Sequence, residues 1–92
     1  MALIICDQVT KGMRSSERTI AIKDAQGRRV FLRVEEDFLT KEAGRYWLTV
    51  GVINEDKNHE AVLIELPQES ESGTYRLWAK TTDLLELDHS QS

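Results

Sequence analysis

Catalytic chemistry in this 92-residue chain would have to come from one cysteine, two histidines and a few short groups of acids. Cys6 lies within an apolar run, where a thiol is more often buried and inert than reactive. His59 falls in a polar connection and His89 close to the C-terminus, so neither lies in a predicted cleft. The acids at 35–37 and 69–71 lie in polar segments, where carboxylates are normally exposed to solvent and not buried as acid/base chemistry requires. We therefore predict no catalytic residues.

Metal, phosphate and cofactor sites are not indicated either. Two histidines without HxxxH spacing and a single cysteine do not make a zinc set, and the acids with His89 at 83–89 are weak evidence for a cation site. The sequence has no glycine-rich phosphate loop and no GxSxG, HExxH or CxxC motif. We predict that the chain is not an enzyme and uses no cofactor. An enzyme that assembles Cys6, His59 and a carboxylate ranks last among the alternatives.

Binding is indicated instead by aromatic and cationic residues that alternate with aliphatic ones in three segments. If the aliphatic residues face a core, the opposite faces carry residue types that are enriched at binding hot spots. The ligand-binding residues predicted on this basis are Arg29, Phe31, Arg33, Trp47, Arg76 and Trp78, with Arg45 and Lys80 on the same faces. In the alternative, the indoles fill the ends of the core and the arginine stems cover apolar surface.

The clearest structural element is a β-hairpin. Residues 17–24 and 28–34 both alternate with period 2, which is typical of half-buried strands. Asp24 at the first position and Gly27 at the fourth suit a type I turn between them. This hairpin positions Arg29, Phe31 and Arg33.

The remaining strands are predicted from aromatic and β-branched content together with alternation. A second hairpin, with a longer polar connection, is predicted from 45–54 and 61–66. The other two predicted strands are 2–9 and 74–80. Residues 35–44 predict either a short helix, capped by Asp37 and ended by Gly44, or a loop.

These segments predict a mainly β fold, a small antiparallel barrel or sandwich of five to six strands with at most one short helix. Short connections favour antiparallel pairing. The predicted domain is 1–82, with 83–92 as a frayed tail that makes a helical turn or a short last strand. The predicted core is Ile20, Ile22, Val30, Leu32, Val34, Leu48, Val50, Val52, Val62, Ile64 and Leu77.

One short segment has a counterpart in a known family. Residues 71–75, ESGTY, are similar to the acidic-x-Gly-x-Tyr segment at the tyrosine corner of immunoglobulin-type sandwiches. That resemblance implies a cysteine two residues after Tyr75, where this chain has Leu77. It adds weight to the sandwich alternative and implies no function.

Charge narrows the classes of partner. The net charge is −4, which argues against a general nucleic-acid binder, although residues 1–34 carry +4 and 35–73 carry −7. The chain shows no signal peptide and no membrane span, so we expect a soluble cytoplasmic protein. We predict a non-catalytic module that binds a protein partner or itself. The alternative is a single-stranded nucleic-acid binder of the small-barrel type, which needs stacking aromatics and cations.

Overall fold

The protein is mainly β, as the alternation predicts. A computed structural model describes residues 1–86, which form nine strands and two single 3₁₀ turns, Glu36–Phe38 and Thr81–Asp83. The strands are β1 Ala2–Ile5, β2 Gln8–Lys11, β3 Glu17–Lys23, β4 Arg29–Glu35, β5 Leu39–Glu42, β6 Arg45–Asp56, β7 Ala61–Glu65, β8 Arg76–Lys80 and β9 Leu84–Glu86.

The strands make two antiparallel sheets. One has the order β8-β7-β6-β1-β9, with β5 also paired to β6, and the other has the order β2-β3-β4. One hydrophobic core takes residues from both sheets. No closed barrel is formed within residues 1–86, and the choice between barrel and sandwich stays a prediction.

The first predicted strand, 2–9, is divided between the two sheets. The backbone N–H of Cys6 donates to the Tyr46 carbonyl at 3.0 Å, and that of Asp7 donates to the Ala21 carbonyl at 2.7 Å. The chain therefore leaves the large sheet at Cys6 and enters the small sheet at Asp7. This crossing accounts for one of the strands beyond the predicted six.

The β3–β4 hairpin is confirmed, with Ile20 opposite Leu32 and Ile22 opposite Val30. The Asp24 carboxylate Oδ1 accepts hydrogen bonds from the backbone N–H groups of Gln26 and Arg28, both at 2.9 Å. Gly27 has a φ of 82°, which glycine adopts without the steric cost of a Cβ. Asp24 and Gly27 thus have the roles that the sequence assigns to them.

Residues 35–44 differ from both expectations. Glu35, not Asp37, occupies the cap position of the 3₁₀ turn, without a side-chain hydrogen bond. A strand, β5, follows and pairs with β6 through a two-residue turn with φ of 55° at Ala43 and 77° at Gly44. Two positive φ values suit the right-handed twist of a hairpin. Gly44 therefore closes a hairpin and does not end a helix.

The core follows the predicted list except at one end of β6. Eight predicted residues are buried, and Val30 and Leu77 pack partly buried against them. Val52 is 42% exposed, and directly after it a bulge between Val52 and Asn54 shifts the register against β7. The core also includes Ala2, Ile4, Cys6, Leu66 and Ala79.

The region predicted as a tail is partly ordered into the large sheet. Leu84–Glu86 pairs with β1, with Leu84 opposite Ile4. The rest of the predicted tail, which includes Asp88 and His89 of the weak cation group, lies outside the described residues. The domain boundary at 82 stays a prediction.

Candidate functional site

The six predicted binding residues do not form one patch. They lie at three places: Arg29, Phe31 and Arg33 on β4, Arg76 and Trp78 on β8, and Trp47 on β6. Trp78 lies opposite Leu63 on β7, and Leu63 lies opposite Asn54 on β6. Trp47 is seven positions before Asn54 on the same strand. At about 3.3 Å per residue, the two indoles are roughly 20 Å apart along β6.

The β4 surface, defined here as Arg29, Phe31 and Arg33, is the outer face of the three-stranded sheet. Phe31 is 37% exposed and lies opposite Ala21, which is fully buried. Alternation along β4 buries Leu32 and Val34 and turns these three side chains outward. The result is an exposed aromatic ring between two guanidinium groups.

Asp7 fixes one of those guanidinium groups. The Nε of Arg29 donates to the Asp7 carboxylate at 2.7 Å, and the Lys23 ammonium lies 3.6 Å from the same carboxylate. Both cations are on paired positions of β3 and β4. Asp7 is placed there by the sheet crossing described above, so one acid is shared between two cations.

Arg33 faces a different neighbour, the loop that leads to β8. It lines a depression of about 370 Å³ together with Glu69, Glu71 and other residues of 68–73. The backbone N–H of Glu71 donates to the Phe31 carbonyl at 2.8 Å. This loop is held by Ser70, whose hydroxyl accepts a hydrogen bond from the Thr74 N–H at 3.0 Å.

Trp78 is on β8, which among the described strands pairs with β7 only, and 40% of this residue is exposed. The Trp78 carbonyl accepts a 2.7 Å hydrogen bond from Ala25 in the β3–β4 turn. Trp78 lines two depressions, one of about 490 Å³ shared with residues 54–58 and one of about 190 Å³ shared with Leu77 and residues of the β3–β4 turn. Trp78 and these two depressions are the Trp78 cleft. Arg76 beside it lies 3.6 Å from Glu65.

Trp47 packs within the sheet and is less exposed than Trp78. β6 has strands on both sides at this point, with Ile5 and Thr40 directly opposite Trp47. The indole N–H donates to the Glu42 carbonyl at 3.3 Å, and the ring is half-buried. The alternative in which an indole serves packing describes Trp47 better than Trp78.

The residues considered for catalysis lie far apart. Burial raises the pKa of the Cys6 thiol to about 12. His59 is exposed and its Nδ1 lies 2.8 Å from the Asp56 carboxylate. Cys6 is hydrogen-bonded to Tyr46, and His59 is hydrogen-bonded to Asp56. Tyr46 and Asp56 are ten positions apart on β6, so Cys6 and His59 are roughly 30 Å from each other. Within residues 1–86 no group of three metal-binding side chains is found.

Sequence reasoning missed the loop beside Trp78. Residues 55–60 read only as a polar connection, yet Asp56 accepts hydrogen bonds from the backbone N–H groups of Asn58 (3.1 Å) and His59 (3.3 Å). Hydrogen bonds from His59, the side-chain one first, hold the pKa of Asp56 below its usual range. An Asp two or three residues before the groups it binds is a turn signal that the sequence contains.

The tyrosine-corner resemblance does not extend to the structure. Tyr75 is 54% exposed, whereas a tyrosine corner places its hydroxyl against the backbone. Comparison of the chain with known protein families, curated proteins and solved structures finds no match. Among the described residues, no helix is long and apolar enough to cross a membrane.

Proposed function

We propose that this protein is a non-catalytic β-domain that binds a protein partner, or a second copy of itself, through the β4 surface. The observation that carries the proposal is the exposed Phe31 ring flanked by Arg29 and Arg33 on the outer face of a sheet. Large aromatics and arginines contribute most at protein interfaces because they bury much area with little loss of conformational freedom.

The shape and order of this surface favour a protein over a small ligand. Its three residues lie on one strand, β4, which pairs along its length with β3, so their backbone is fixed before any partner arrives. The Arg29–Asp7 hydrogen bond of 2.7 Å also limits the rotamers of the guanidinium group. Preorganised side chains lose less entropy on association, which raises affinity for a given buried area.

The test uses Phe31→Ala and Arg33→Glu, with Phe38→Ala as the matched control. Phe31 and Phe38 are 37% and 40% exposed, so both truncations remove a similar exposed ring. Sedimentation velocity reports self-association, and a partner recovered from cell extract is purified and titrated against each variant. We expect loss of the complex in both β4 variants only. Folded β4 variants that keep the wild-type complex would show that the proposal is wrong.

A second candidate function is binding of single-stranded nucleic acid. It is supported by two exposed aromatics, Phe31 and Trp78, that each have an arginine two residues away on the same face. Acids oppose it, because Asp7 binds Arg29 and Glu65 lies near Arg76. Titration with an oligothymidylate at low salt tests it: fluorescence quenching that weakens with salt supports this candidate, and no quenching removes it.

A further inference from the structure

Trp78 is the most exposed indole of the described chain, and its surroundings differ from the β4 surface in shape. The larger depression beside it has a volume of about 490 Å³ and is open to solvent. Trp78 also lines the second depression, together with residues of the β3–β4 turn. A ligand that occupies both depressions would therefore extend past the indole and be elongated.

The segment of residues 54–58, which lines the larger depression together with Trp78, is held in place by its own hydrogen bonds. Asp56 holds the backbone N–H groups of Asn58 and His59, and Asn54 accepts a hydrogen bond from the Glu55 N–H at 2.8 Å. The Thr81 N–H donates to the Glu60 carbonyl at 2.9 Å and ties the end of the loop to the end of β8. A loop fixed at both ends loses little entropy when it receives a ligand.

The side chains of residues 54–58 combine hydrogen-bond donors and acceptors. Asn54 and Asn58 carry amides, Glu55 and Asp56 carboxylates, and Lys57 an ammonium group. Within residues 1–86, the Lys57 ammonium and the Asn58 amide make no hydrogen bond or ion pair with protein groups. Such a set suits hydroxyl groups, because each hydroxyl can donate one hydrogen bond and accept others.

The charged residues around the Trp78 cleft disfavour a strongly charged ligand of either sign. Two carboxylates against one ammonium leave a single net negative charge in the lining. The flanking pairs Arg76–Glu65 and Arg28–Asp24 are each neutral, and Lys80 is the remaining cation on this face. A polyanion meets two carboxylates here and a polycation meets Lys57 and Lys80, so a neutral polar ligand is the best match.

We propose that the Trp78 cleft binds a neutral saccharide chain, with the apolar face of a sugar ring on the indole and its hydroxyls on the side chains of 54–58. The site is separate from the β4 surface and goes beyond the protein contact proposed above. Free oligosaccharides and the glycans of glycoproteins share this chemistry, so both are tested.

The probes are the hexasaccharides of cellulose, starch, chitin and xylan, and a high-mannose glycopeptide. Each is titrated at millimolar concentration into ¹⁵N-labelled protein. We expect saturable shifts of the Trp78 indole N–H and of the backbone N–H groups of 54–58, with the Trp47 indole unmoved. Binding by the hexasaccharides alone indicates a free polysaccharide, and binding by the glycopeptide indicates a glycoprotein.

The variants are Trp78→Ala and Asn58→Ala, with Phe38→Ala as the control, because Phe38 and Trp78 are each 40% exposed. We expect the affinity to fall by about tenfold or more in Trp78→Ala and less in Asn58→Ala, with no change in Phe38→Ala. Asn58 is in the loop, so its variant keeps the test valid if Trp78→Ala fails to fold. No saturable shift with any probe, or binding that is equal in all variants, would overturn the proposal and leave the β4 contact unaffected.

Discussion

The two tryptophans carry the same local sequence signal and have different environments. Each follows an arginine by two residues in an alternating strand, Arg45 before Trp47 and Arg76 before Trp78. Trp47 is on β6 with strands on both sides, and its indole N–H has a backbone acceptor. Trp78 is on β8, whose one partner within residues 1–86 is β7, and a larger part of this residue is exposed to water.

The difference teaches that the position of a strand within its sheet decides the role of an aromatic side chain. An alternating sequence determines which side chains share a face, but it does not determine how many neighbouring strands stand beside them. Trp47 therefore contributes to packing, whereas Trp78 is left more exposed to solvent. The predictions below test this contrast, from the largest expected effect to the smallest.

The largest effect is expected for the alkylation rate of Cys6, which is buried beside Tyr46 near the start of β6. Because burial raises the thiol pKa to about 12, the reactive thiolate is depleted roughly a thousandfold relative to a free cysteine near pH 8. We expect iodoacetamide to modify the native protein at least that much more slowly than the protein in urea, as followed by mass spectrometry. Equal rates in the two conditions would mean that this end of the molecule is open.

The next effect is on stability and separates the two indoles directly. We expect Trp47→Ala to lower the free energy of unfolding by about 2–3 kcal/mol, since a half-buried ring and a hydrogen bond are lost. Trp78→Ala should cost less, about 1–2 kcal/mol, because 40% of the residue is already exposed. Urea denaturation followed by circular dichroism measures both values. A larger loss in Trp78→Ala would reverse the assignment.

Much of the fold can be predicted from local sequence patterns. The arrangement of the candidate binding residues cannot, because it depends on contacts between segments that are distant in the sequence. The β3–β4 hairpin is predictable because Asp24 and Gly27 act within a few residues of each other. The β5–β6 hairpin is harder, because Ala43 gives no sign of its positive φ. The division of the predicted patch depends on the crossing at Cys6–Asp7 and on which strands flank β6, and neither is visible in a period-2 pattern.

A smaller stability effect is expected at Asp24, in the turn that contacts Trp78. Partial burial alone raises its pKa, but hydrogen bonds from the N–H groups of Arg28 and Gln26 and the Arg28 charge outweigh this, so the pKa is lowered. Asp24→Ala should cost about 1 kcal/mol near neutral pH because two N–H groups lose their acceptor. Asp24→Asn keeps an acceptor oxygen and should cost less.

The pH dependence of this effect has a defined sign. A carboxyl whose pKa is lower in the folded than in the unfolded chain adds stability above its unfolded pKa of about 3.9. That contribution is lost as the pH falls through the folded value. Urea titrations in a pH series should therefore show the gap between wild type and Asp24→Asn closing in acid. A gap that is constant with pH would mean that the charge of Asp24 adds nothing to the turn.

The smallest effect is a difference in solvent access between two otherwise intact proteins, each with one tryptophan. Trp47→Phe leaves only Trp78, and Trp78→Phe leaves only Trp47. We expect the Trp78 protein to emit at longer wavelength and to be quenched more by acrylamide, because its ring is on an edge strand. Equal quenching at low protein concentration would remove the contrast. If Trp78 becomes protected only as the concentration rises, a second copy covers it, and the saccharide would then compete with self-association at the same ring.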